Sequence, residues 1–250
     1  MLGRGLATAI LLGLAAAPCH AATTWDFSSG MDYSEGRYGA ALDTSVWSIP
    51  LTGRMQMDRL RLEAYMPYLQ VKGPGVLVGG SVVGTNTVMT SRSGMGDLTL
   101  GAAYQLHADE ARLPSLELAG SVKVPTASLD LGTGKMDYNL QANINHSFSP
   151  RLMLFGSLGY QWLNDYLSYH LEDGMTALAG VNYRATNSTS FGISANYRDE
   201  YYQGLGHQFT VTPYALWSFA RRWRVTVYGL TGHSQASPRA GGGVRLTFFQ

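Results

Sequence analysis

Charge is what this sequence has least of. Asp, Glu, Lys and Arg make up 14% of its 250 residues, against roughly 25% in ordinary soluble domains. Basic and acidic residues nearly balance, at 18 and 17, so there is no field to draw in a polyanion and no nucleic-acid partner is expected. Cysteine occurs once, as Cys19, which excludes a disulfide framework. Past the first residues no apolar run approaches the ~20 needed to cross a bilayer as a helix. No stretch shows a convincing amphipathic-helix period either. Glycine (30) and tyrosine (15) are plentiful instead, a mixture that suits strands joined by turns.

The first residues have the layout of a secretory leader. Arg4 supplies the positive charge, Leu6–Ala17 the apolar core, and Cys19 and Ala21 the small residues a signal peptidase reads. Cleavage is expected after Ala21, leaving 22–250 as the mature domain. The apolar run is too short for a spanning anchor, and Pro18 fits badly before a lipidated Cys19. Processing removes the single thiol together with Arg4, so the mature chain carries equal numbers of acids and bases.

Period two dominates the remainder. In "DYNLQANINHSF", Tyr138, Leu140, Ala142, Ile144, His146 and Phe148 point one way, and Asp137, Asn139, Gln141, Asn143, Asn145 and Ser147 the other. The alternation predicts about twelve strands, at 24–33, 44–54, 59–72, 96–106, 114–125, 137–148, 152–163, 175–184, 189–199, 207–219, 223–231 and 239–249. Strand 152–163 has no clear face, because Leu158 and Leu163 fall on opposite sides. Asp26, Asp32, Arg59, Arg61, Glu63, Asp97, Glu117, Lys123, Asp137, Arg184, Arg198, Arg224 and Arg245 all share the polar face in this register. A basic residue facing lipid costs ~2–4 kcal/mol at the bilayer midplane, which would enforce such segregation. Soluble sheets segregate too, so further signals are needed.

Two are present. Tight connections at 55–58, 149–151, 185–188 and 220–222 alternate with wider ones at 34–42, 73–94, 126–135 and 164–174. Short turns at one end and long loops at the other mark an outer-membrane barrel. Aromatics also gather at strand ends. Tyr33, Tyr68, Tyr138, Tyr160, Trp162 and Tyr197 would form an outer belt, and Tyr104, Phe148, Tyr183, Trp217, Phe219, Trp223 and Phe248 an inner one. The fold expected is therefore all-β: a closed antiparallel transmembrane β-barrel of about twelve strands. Closure follows because lipid offers nothing to satisfy an open edge. Pro50, Pro67 and Pro125 should mark bulges or rims.

The segments "EGRYG" (35–39), "YMPYLQVKGPG" (65–75), "GMGDLTLGAAYQL" (94–106), "VKVPTASLDLGTGKMDY" (122–138) and "LFGSLGYQW" (154–162) carry a family likeness. In them the chain resembles a group of outer-membrane proteins, called transporters, named for the meta-pathway of phenol degradation. Ala127 and Ser128 replace a glycine in that family's proline-threonine-glycine pattern, and Gln250 follows the usual terminal aromatic. The resemblance implies an outer-membrane barrel moving small hydrophobic or aromatic compounds. It transfers no catalytic residues.

Candidate chemistry elsewhere is thin. "GMGDLTLG" lacks the Gly-Lys-Ser/Thr of a phosphate loop and reads as a turn before a strand. "HADEAR" (107–112) reads as a solvated turn rather than a metal site. "NHSFS" (145–149) sends His146 and Ser147 to opposite faces, and no lipase-type His-x-Ser-Asn-Gly stretch occurs. No enzyme activity, metal or cofactor is expected. The loop 73–94 is apolar and nearly uncharged, and either extends the flanking strands or folds into the mouth. Twelve strands lie between a filled eight-stranded barrel and an open sixteen-stranded one, so a narrow or partly plugged lumen is expected. The candidate pore-lining residues are Arg59, Arg61, Glu63, Glu117, Lys123, Asn139, Gln141, Asn143, Asn196, Arg198 and Arg245. Expected partners are the lipid bilayer of a Gram-negative outer membrane, the outer-membrane assembly machinery and a small-molecule solute. A plugged structural or recognition barrel, or less readily a lipase-type enzyme, is the competing reading.

Overall fold

The computed structural model describes residues 23–78, 81–84, 90–107, 113–128, 131–165 and 170–250. The leader, 1–21, and most of the "HADEAR" turn lie outside the described residues. The strands are β1 (Thr24–Gly36), β2 (Thr44–Met57), β3 (Leu60–Gly73), β4 (Val76–Val78), β5 (Ser81–Val83), β6 (Thr90–Met95), β7 (Leu98–His107), β8 (Ser115–Val124), β9 (Asp137–Ser147), β10 (Leu152–Trp162), β11 (Gly174–Arg184), β12 (Thr189–Arg198), β13 (Gln208–Ala220), β14 (Trp223–Gly232) and β15 (Ala240–Phe249). No helix among the described residues is long and apolar enough to cross a membrane.

Thirteen of these strands make one sheet. Each pairs antiparallel with its chain neighbour from β7 through β15, β15 returns to β1, and β1–β2–β3 completes the circuit. β6 and β7 both pair with β3 and form one wall strand interrupted at Gly96–Asp97, so the wall is a closed ring of twelve. Every predicted wall strand is present. The fourth starts earlier than expected, at Thr90, because β6 extends it.

The side-chain parity is that of the sequence. Large apolar groups cover the outside, with Phe148 61% and Leu158 55% exposed, a surface no monomer in water would carry over its whole girth. Strand β10 resolves accordingly: Leu158 faces out, while Leu163 lies buried inside. Its inner face mixes Met153 and Phe155 with Ser157 and Gln161. Phe155 lies over Gly180 of β11, where a Cβ would collide with the ring.

Two expectations need correction or refinement. Arg59 does not line the wall. It is exposed in the two-residue turn between β2 and β3, where Asp58 adopts φ 51°, a left-handed conformation that Asp tolerates. The loop 73–94 does both things open to it. Thr90–Met95 extends the wall beside β3, while Val76–Val78 and Ser81–Val83 pair as a small hairpin. That hairpin folds into the mouth, leaving Val82 6% and Val83 1% exposed.

The buried apolar residues sit at this end. Tyr38, Val46, Val71, Val82 and Leu131 form one cluster, and Val83, Leu163, Leu171, Tyr201, Leu205 and Ala236 another. The hairpin bridges the two. Pro50 of β2 faces Pro67 of β3 across the ladder, so neither supplies a donor there, and the β3 pairing switches from β7 to β6 beside it. Pro125 falls just past the end of β8.

Candidate functional site

The inward-facing side chains define the lumen. They begin near the tight-turn end with register partners on β2 and β3: Arg54 Nε donates to Glu63 Oε2 at 2.7 Å. Asp26 of β1 stands beside the pair, its Oδ1 3.9 Å from Arg54 Nη1. Arg61, next along β3, reaches past β7 to β8 and donates from Nη2 to Glu117 Oε1 at 2.8 Å. The reach is possible because β7 presents Gly101 and Ala103 inward. Asn143 donates to the same Glu117 oxygen at 2.8 Å, and Gln141 donates to Asn143 at 2.9 Å. Asn139 and Gln141 complete a recess of about 170 Å³ floored by Gly101, Ala103, Ala119 and Ser121.

Higher up, Lys123 of β8 is held by two acids. Its Nζ lies 2.8 Å from Asp137 Oδ2 and 3.2 Å from Asp97 Oδ2, and it donates to Thr133 Oγ1 at 2.9 Å. All are deeply buried, Lys123 at 13% and Asp137 at 3% side-chain exposure. Asp97 also accepts from the Thr126 and Ala127 amides, so this cluster fastens the 125–136 loop to the wall. Across the lumen, Arg245 Nη2 donates to Asp32 Oδ2 at 3.0 Å, and Tyr228 Oη donates to Asp32 Oδ1 at 2.5 Å. Gly243 makes that triad possible, since a Cβ there would strike Asp32 and Tyr228.

The hairpin is fixed by polar contacts at its inner edge. Arg198 Nη1 donates to Ser81 Oγ at 2.6 Å, with its guanidinium 4.5 Å from the Tyr201 ring. Tyr201 Oη donates to the Val82 carbonyl at 2.7 Å, and burial raises its pKa. Burial pushes the pKa of the Tyr38 phenol up to about 12, and the Tyr38 backbone carbonyl accepts from the Gly84 amide. Arg92 of β6 donates to the Gly75 carbonyl. Beneath the hairpin lies a recess of about 390 Å³ lined by Val46, Leu69, Leu77, Val82 and Leu131 along with Asp97 and Lys123. Tyr65 borders both this recess and the one below it.

Of the residues the sequence singled out, Arg61, Glu117, Gln141 and Asn143 form one connected chain. Glu63 belongs to the Arg54 pair, Lys123 to the acid clamp, Arg245 to the Asp32 triad and Arg198 to the hairpin. Asn196 faces inward on β12 opposite Leu178 and Thr210. The sequence reading omitted Arg54, which its alternation with Thr52 and Gln56 could have revealed. It also omitted Tyr65 and Tyr228, aromatics on the polar face that residue type alone does not flag. The thirteen expected belt aromatics all have outward parity. Trp25 and Trp47 join them, unmarked in the sequence reading, and Trp47 packs 4.8 Å from Tyr33. Among the described residues no group of three or more metal-ligating side chains comes together.

The family model described as "Putative MetA-pathway of phenol degradation" matches residues 59–248. No curated protein matches the sequence. Among solved structures, an outer membrane channel from Pseudomonas putida F1 superposes with a TM-score of 0.68 at 18% identity, covering 91% of this chain and 94% of that one. The NanC porin gives 0.58 at 9% identity, covering 90% and 99%. The KdgM porin gives 0.54 at 11% identity, covering 90% and 98%. At these identities the likeness is one of fold: a closed outer-membrane β-barrel.

Proposed function

The chain belongs to the phenol-degradation family of outer-membrane barrels, and from that premise we propose that it is a passive, selective channel for small solutes, among them single-ring aromatic compounds. The observation that carries this reading is the make-up of the lumen. Its recesses combine rings and aliphatic side chains with hydrogen-bonding groups, the lining a site needs to hold and orient a mostly apolar solute. Fixed ion pairs set the field along the wall, and Asn139, Gln141, Asn143 and Asn196 replace lost hydration. Solved structures of the same fold are named as a channel and as porins, which supports transport over catalysis. Insertion by the outer-membrane assembly machinery and removal of 1–21 belong to the same reading.

The hairpin gives the second reading its footing. Val82 and Val83 are packed tightly enough for a structural barrel with a closed mouth. Proteoliposome uptake of solutes graded in size, charge and apolarity separates the two. Uptake of phenol and toluene ahead of sugars of similar size is expected. Uptake no faster than in protein-free liposomes for every solute would overturn the channel.

A further inference from the structure

We propose that the turn-end half of the lumen holds a binding station for a neutral hydroxyl-bearing aromatic ring, with Arg224 as hydrogen-bond donor and Asp26 as acceptor. The proposal deepens the channel reading and rests on it for the solute's route.

A cavity of about 240 Å³ lies between β1, β2, β13, β14 and β15, lined by Asp26, Arg54, Leu216, Arg224, Tyr228 and Phe249 among others. An apolar cavity of ~150 Å³ suffices for benzene, so one substituted ring fits with room to turn. Phe249 and Leu216 supply apolar contact. The polar groups of the cavity are of two kinds. Arg54 and Arg245, which also line it, face carboxylates at 2.7 and 3.0 Å, as Arg61 and Lys123 do elsewhere in the lumen at 2.8 Å. The Arg224 side chain has no hydrogen bond or ion pair among the described residues. Its guanidinium carbon lies 4.7 Å from the centre of the Phe249 ring. Its Nε is sealed from the lumen, so the terminal nitrogens are the donors that reach the cavity. Asp26 shows the mirror arrangement. Oδ1 is sealed, facing Arg54 Nη1 at 3.9 Å, which leaves Oδ2 as the acceptor on the cavity side. Tyr228 does not compete, because its hydroxyl already donates to Asp32.

A donor and an acceptor without side-chain hydrogen-bond partners, in one ring-lined cavity, select among ligand chemistries. A carboxylate would satisfy Arg224 but meet the Asp26 charge. A bare hydrocarbon would strip water from both groups and replace neither hydrogen bond. A phenolic hydroxyl donates and accepts at once, and its ring lies against Phe249 and Leu216.

The test is equilibrium dialysis of the full mature chain in lipid nanodiscs, with empty discs subtracted, against phenol, toluene and benzoate at pH 7. Phenol should bind tightest. Arg224→Met keeps a stem against Phe249 and removes the donors, and Asp26→Ala removes the acceptor. Each should weaken phenol about tenfold and leave toluene unchanged, a ratio that a misfolded barrel would not produce. Benzoate binding tighter than phenol, unchanged phenol affinity in both variants, or equal losses for phenol and toluene would overturn the station. Proteoliposome flux of the wild type is measured in parallel. Flux without variant-sensitive binding defeats the station alone, and phenol binding without flux defeats the channel reading alone.

Discussion

Arg61 and Glu117 make a 2.8 Å ion pair although a whole strand separates them. β3 and β8 are not neighbours, and the contact passes over the Gly101–Ala103 surface of β7. A bridge of this kind occupies lumen cross-section as well as neutralising charge.

Removing the acid exposes the cation to passing ions. A unit charge about 4 Å away is worth about 1 kcal/mol even in water. Glu117→Gln should therefore shift the permeability ratio roughly fivefold toward anions, read as a reversal potential across a KCl gradient in planar bilayers. An unchanged reversal potential would mean that ions do not pass Arg61.

Lys123 carries a structural load instead. Lys123→Met leaves Asp97 and Asp137 buried beside each other without their cation. Breaking a buried pair costs about 3–5 kcal/mol, so the urea midpoint of the folded barrel should fall, with the 125–136 loop becoming protease-sensitive first.

Much of this architecture was legible beforehand, for a physical reason. Charge facing lipid is costly, so outward positions between the belts, such as Leu140 and Phe191, carry no Asp, Glu, Lys or Arg, and parity alone places twelve strands. β10 blurred that logic because Leu163, just past its end, and Phe155, over Gly180, both face inward opposite Leu158. The hairpin could not be placed because Val82 and Val83 have no period to report their destination, which depends on distant Tyr201 and Tyr38. The inner ion pairs were readable as a set of charges but not as partners. Which acid meets which base depends on strand stagger and on small residues such as Ala103, and neither is a local property.

Gly243 is a sharp test of the Asp32 triad. Gly243→Ala puts a methyl where Asp32, Tyr228 and the Met31 carbonyl already stand. Overpacking of this kind costs about 1–3 kcal/mol, and should appear as a lower melting temperature. Tyr228→Phe, which removes a hydrogen bond without adding bulk, should be milder.

The mouth hairpin predicts a gain rather than a loss. Deleting residues 76–83 should raise single-channel conductance several-fold, and Tyr201→Phe, which frees the Val82 carbonyl, should raise its fluctuation. A deletion that conducts no better than the full chain would place the constriction deeper in the lumen.

Asp199, beyond the end of β12, accepts from the Met175 amide at 2.8 Å and from the Tyr197 hydroxyl at 2.8 Å. These bonds, the amide first, hold its pKa below the ordinary aspartate value. The anchor is therefore fully present above pH ~4 and is lost as acidification passes through the lower folded value. Hydrogen exchange at the Met175 amide, corrected for intrinsic rate, should stay protected to pH 4 and lose protection below it.

The ring is closed by its first and last wall strands, β1 against β15 across ten residue pairs from Asp26–Phe249 to Glu35–Ala240. No contiguous fragment of the sequence can then seal its own seam. A half-made wall has two raw margins of backbone in oil, and the deficit disappears only when head meets tail. Insertion and closure are thus coupled into a single all-or-none event, and a chain interrupted anywhere along its length should be degraded rather than persist as a smaller pore.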